Sequence, residues 1–153
     1  MPDWLTHSLI GWITGKIIKS DVALLVIGSL LPDIEKISVV DNWFGIHSEQ
    51  FLAPFHTPAG AFLIGGLLAL FFESPKKAFI PLSIGITTHF ILDVFLFNSS
   101  GGLRLLFPFS WEGWQYDVIS SGDDWITIIA IYAAAFVYII YLYYTNLTSK
   151  NNM

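Results

Sequence analysis

Residues 125–144, "WITIIAIYAAAFVYIIYLYY", run for twenty residues without a charged side chain, and this stretch constrains the fold more than any other. As a helix it covers about 30 Å, the hydrocarbon thickness of a bilayer, and it satisfies its own backbone hydrogen bonds there. The tyrosines that close it suit a membrane interface. Composition points the same way: 54% of residues are hydrophobic and 12% are charged, against about 25% charged in ordinary soluble domains. The chain is predicted to be an all-α integral membrane protein.

A second run, Ala78 to Phe97, is interrupted by Pro81, Gly85 and the pair His89 and Asp93, and is also long enough to span. Three shorter runs, Trp4 to Gly15, Val22 to Leu31 and Ala59 to Phe72, fall near or below the roughly 17 residues a lone crossing needs. They are expected to be tilted, buried in protein or interfacial. Gly11 and Gly15 follow His7 at four-residue steps and leave a smooth face for a neighbouring helix. The expected architecture is a compact bundle of about five helices. It forms a single domain over residues 1–146, followed by a polar tail at 147–153.

The charges give this bundle a direction. Lys16, Lys19, Lys76, Lys77 and Lys150 fall at helix ends of one parity. The opposite ends carry Asp33, Glu35, Asp41, Glu49, Glu112, Asp117, Asp123 and Asp124, against Lys36 and Arg104 alone. The positive-inside rule then puts the C-terminus and the lysine ends in the cytoplasm. The start, "MPDWLTHSLIGW", lacks a basic leader, so no cleavage is expected. A net charge of −5 with few basic residues argues against a phosphate-backbone surface, so no direct nucleic-acid partner is expected. Membrane lipids are the expected surroundings, with a protein partner or a homo-oligomer as further candidates.

Five ionisable residues fall at the acidic, non-cytoplasmic end: His7, Asp33, His56, His89 and Asp93. His89 and Asp93, at i and i+4, share a helix face and can address one centre. Imidazole and carboxylate suit a divalent metal, Zn²⁺ first and Mn²⁺ or Fe²⁺ as alternatives. The chain has no cysteine, so thiolate ligation is excluded. Another reading is a hydrogen-bonded polar contact between helices. Taken singly, Asp33 after Pro32 also reads as a turn residue, His7 as an interfacial histidine, and His56 before Thr57 and Pro58 as part of a helix start. Burying a charge costs several kcal/mol unless it is compensated, so five such groups at one end point to a shared centre. His47 and Glu49, with Asp41 nearby, read as loop residues, with His47 or Glu49 as candidates for general acid or base. Residues 105–125, rich in Trp, Tyr and Phe, read as an interfacial belt.

The segments "THSLIG" (6–11), "GSLLPDIEK" (28–36), "FHTPAG" (55–60), "THFILD" (88–93) and, more loosely, "LLFPFS" (105–110) resemble the YdjM-like family of membrane-bound metal-dependent hydrolases. That family includes bacterial inner-membrane proteins described as LexA-binding. The resemblance implies a metal site at His7, Asp33, His56, His89 and Asp93. Where family members often carry HRGxTHS, this chain has "FLAPFHTPAG"; with His56 matched to the second histidine, Phe51 stands in place of the first. Helical zinc-dependent phospholipases C are a more distant analogy at the level of fold.

The function expected is metal-dependent hydrolysis of a phosphoester or lipid headgroup at the non-cytoplasmic face, with Asp33, Glu49 or Asp93 as the base. The competing expectation is a non-catalytic membrane scaffold that binds a structural metal or holds a polar His/Asp network. A transporter would need polar residues continuing to the cytoplasmic end, and the sequence has few.

Overall fold

The structure, a computed structural model, describes residues 4–36, 52–95, 101–116 and 125–151. Five α-helices occupy most of these residues: α1 (Trp4–Ile18), α2 (Val22–Leu30), α3 (Pro58–Ala69), α4 (Pro75–Val94) and α5 (Trp125–Asn151). Two 3₁₀ segments, Leu31–Lys36 and Ala53–His56, adjoin the end of α2 and the start of α3. No strand is present among the described residues; a single bridge pairs Leu103 with Trp114. The all-helical expectation holds.

Local chemistry sets the helix ends. Lys19 turns to a left-handed φ of 53° and stops α1. Asp21 then caps α2 by accepting from the Leu24 amide at 3.1 Å. Thr57 caps α3 by accepting from the Gly60 amide at 3.2 Å, with Pro58 in the first turn. α4 starts at Pro75, earlier than the apolar run suggested, because Lys76 and Lys77 join its first turn; Pro81 is accommodated inside it.

Helix α4 and the segment Trp125–Tyr144 are each 20 residues long and apolar enough to cross a membrane. The other three are shorter, with α1 at 15, α2 at 9 and α3 at 12 residues. At about 1.5 Å per residue none of these reaches 30 Å.

The core lies where α2 crosses α4, around Leu25, Leu82 and Ile86, all fully buried. The crossing is close because both helices present glycine there. A Cβ on Gly28 would land on the Leu82 carbonyl, and one on Gly85 on the Leu25 carbonyl and the Ser29 amide. Gly11 and Gly15 face Ser29 and Val22 of α2, as their spacing predicted.

Helix α5 stands outside this core and packs chiefly on α1. Only Ala130 and Ala134 are buried among its described side chains, while Tyr132, Phe136 and Ile139 are exposed. Thr6 and Thr127 share a 2.8 Å hydrogen bond at one end of the α1–α5 contact. At the other end the Lys16 ammonium sits 4.3 Å from the Tyr141 ring. The two helices are therefore parallel, as the first and last of five alternating passes must be.

Candidate metal centre

Each predicted ligand reaches the centre by a different route. His7 comes from the first turns of α1, and Asp33 from the 3₁₀ segment that follows α2. His56 is the last residue of the second 3₁₀ segment, and the pair His89 and Asp93 comes from the final turns of α4. Because α1 and α3 enter, and α2 and α4 leave, at the same end of the bundle, all five side chains converge there.

All five are withdrawn from solvent, at 0% exposure for Asp33 and His89, 1% for His7, 4% for Asp93 and 8% for His56. Asp33, His56, His89 and Asp93 each offer a ligand atom within 4.8 Å of the others. His56 lies between the two carboxylates, with Nε2 at 3.1 Å from Asp93 Oδ2 and Nδ1 at 3.4 Å from Asp33 Oδ1. His89 Nε2 faces both carboxylates, at 3.3 Å from Asp93 Oδ2 and 3.7 Å from Asp33 Oδ1. His7 lies beside this group of four: its Nε2 is 3.3 Å from Asp93 Oδ1 and its ring stacks on His89 at 4.0 Å.

The donor set fits a divalent cation on three counts. Ligand atoms around a tetrahedral zinc are separated by about 3.4 Å when the bonds are 2.0–2.1 Å; the close contacts between imidazole nitrogens and carboxylate oxygens here run from 3.1 to 3.7 Å, and one ligand atom from each of the four lies within 4.8 Å of the others. Two carboxylates balance the charge of one such ion. His89 also has a free lone pair at the right atom. Its Nδ1 is 2.8 Å from the Ser29 carbonyl, which can only accept, so Nδ1 carries a proton and, in the neutral ring, Nε2 keeps the lone pair. That Nε2, fully buried, makes no hydrogen bond among the described residues. An imidazole fixed through its outer nitrogen in this way is the usual arrangement of a metal-ligating histidine.

Ser29 and Phe90 were not foreseen. Besides receiving His89, Ser29 has its hydroxyl 3.0 Å from the His7 carbonyl and 2.8 Å from its own-helix Val26 carbonyl, tying α1 to α2 below the centre. Phe90 packs edge-on against His56 at 6.1 Å and His89 at 5.4 Å between ring centres. His56 serves the centre and not the α3 cap, a role that falls to Thr57. Asp41, His47, Glu49 and Phe51 lie outside the described residues.

The segment 101–116 folds over the exit of α4. Leu103 is buried against Ile86 and Phe90, and the Tyr116 amide donates to the Val94 carbonyl at 2.9 Å. Phe109, Trp111, Trp114 and Tyr116 remain exposed, the pattern of aromatic residues at headgroup depth.

A family model described as YdjM inner membrane protein matches residues 3–152. No curated protein and no solved structure matches the chain.

Proposed function

The chain belongs to the YdjM inner membrane protein family, and from that premise we propose that it is a membrane-bound metal-dependent hydrolase acting on a phosphoester at the non-cytoplasmic face. The observation that carries this reading is the buried group of four, Asp33, His56, His89 and Asp93, with ligand atoms within 4.8 Å of one another. In this reading those four hold one divalent ion, zinc before manganese or iron, and His7 steadies Asp93 from the side. When bound, such an ion supplies Lewis acidity toward water and toward a phosphoryl oxygen. Asp33 takes a proton from the attacking water. Asp33 then returns that proton to the leaving oxygen, while the other ring nitrogen of a ligating His56 serves as a hydrogen-bond donor.

The site's surroundings support a substrate at the membrane interface. Asp93 lies one residue from the end of a 20-residue spanning helix, and exposed Trp and Tyr residues of 101–116 flank that end. The lysines at the opposite end support a site on the non-cytoplasmic side.

A structural metal in a non-catalytic scaffold is the second reading, and the near-complete burial of the ligands favours it. Elemental analysis of detergent-purified wild type and His89→Ala, with phospholipid turnover before and after chelation, separates the readings. One ion per chain, lost in the variant, together with chelator-sensitive turnover supports the hydrolase. A bound ion without turnover supports the scaffold, and no ion in the wild type even after reconstitution rejects both metal readings.

A further inference from the structure

An apolar groove of about 480 Å³ lies between α3, α4 and the 101–116 segment, within the range of about 300–1,000 Å³ usual for ligand sites. Phe62, Thr87, Phe90, Ile91, Val94 and Leu105 line it. It is open along one side, where Thr87 and Ile91 are exposed. Its inner wall is Phe90, buried at 7% and packed against the rings of both His56 and His89. Pro58, two residues from His56, lines the groove as well. One side chain thus separates an open apolar channel from the buried polar centre.

We propose that this groove receives an acyl chain of the lipid whose headgroup ester reaches the His/Asp centre, with Phe90 as the residue that sets how closely the chain approaches it. The inference rests on the hydrolase reading for the headgroup, and on the membrane family for the chain. The occupant follows from chemistry. In a protein of an inner-membrane family, a groove along a spanning helix meets hydrocarbon, and an apolar groove there excludes water and polar groups and is filled by close packing with an alkyl chain. The space is ample, since an apolar cavity of about 150 Å³ already takes up benzene. Headgroup and tail would then lie on the two sides of Phe90. His56, the most exposed of the five site residues, meets the Phe90 ring edge-on, as His89 does.

A second apolar groove, of about 300 Å³ between α1, α4 and α5, is lined by Ile10, Ile13, Ala130 and Ala133 among others. It provides an internal control. Both grooves share Ile91 and Phe95, but Phe90 lines the larger groove and not the smaller.

The test is photolabelling of the full chain in phosphatidylglycerol vesicles doped with phosphatidylglycerol that carries a diazirine in one acyl chain, with labelled residues mapped by peptide sequencing. Label concentrated on Phe62, Thr87, Val94 and Leu105 is expected. The exposed-site variant Thr87→Phe, which fills part of the groove, should reduce it severalfold, while Ala133→Phe in the other groove should not. Label spread evenly over the exposed faces of α5, or indifferent to Thr87→Phe, would overturn the proposal. Turnover of the same lipid and metal content of the same preparation are read in parallel. Groove labelling without turnover rejects the hydrolase reading and leaves chain binding standing; turnover without groove labelling does the reverse.

Discussion

His89 donates its Nδ1 hydrogen to the carbonyl of Ser29 at 2.8 Å, and this one bond connects the close crossing of α2 and α4 to the chemistry of the centre. The carbonyl is within reach because Gly28 and Gly85 bring the two backbones together. The ring then has a single orientation, with Nε2 turned to Asp33 and Asp93.

Gly85→Ala tests that connection. The added methyl would fall on the Leu25 carbonyl and the Ser29 amide, so the helices must part. A loss of about 1–3 kcal/mol in stability is expected for such overpacking, together with weakened metal retention. Thermal unfolding in detergent and elemental analysis would show both; full metal content in a folded variant would separate the crossing from the centre.

Removing a ligand and removing its neighbour should differ in degree. His7, beside the group of four, is expected on Ala substitution to lower metal affinity by about 10–100-fold, as outer-shell partners do. Asp33→Ala, within the group, should lower it further. Competition with a calibrated chelator gives both values, and the reverse order would make His7 a principal ligand.

The hydrogen bond between Thr6 and Thr127 joins α5 to α1 next to His7. Thr127→Val should cost about 0.6 kcal/mol, the average for interhelical hydrogen bonds in membranes. Metal content should not change, because none of the five candidate ligands lies on α5. Unfolding by a denaturing detergent titration is the appropriate measurement.

Orientation is open to a direct test. A reporter fused to the C-terminus should read as cytoplasmic, with Lys16, Lys19, Lys76 and Lys77 at the same face. An external signal would invert the site assignment.

Much of this arrangement could be read from the sequence, for identifiable reasons. Two long apolar runs pointed to the two helices long and apolar enough to span a membrane, because length and charge alone decide that. The i, i+4 spacing put His89 and Asp93 on one face, and alternating helix ends brought Asp33, His56 and His7 to the same level. What could not be read depends on backbone proximity. A carbonyl has no signature in a sequence, so the role of Ser29 emerged only with the crossing of α2 and α4. Phe90 looked like any other core aromatic, and its place between groove and centre depends on where α3 comes to lie. His7 was indistinguishable from the other candidates in sequence, and only the distances set it beside the group of four.

The peripheral placement of α5 bears on the order in which the protein is made. All five candidate ligands precede residue 94, and α5 begins at Trp125. Chains emerge from the ribosome N-terminus first, at about 5–20 residues per second. The helices that gather the His/Asp centre are therefore synthesised before α5, and that helix is added to a chain in which every candidate ligand has already been made.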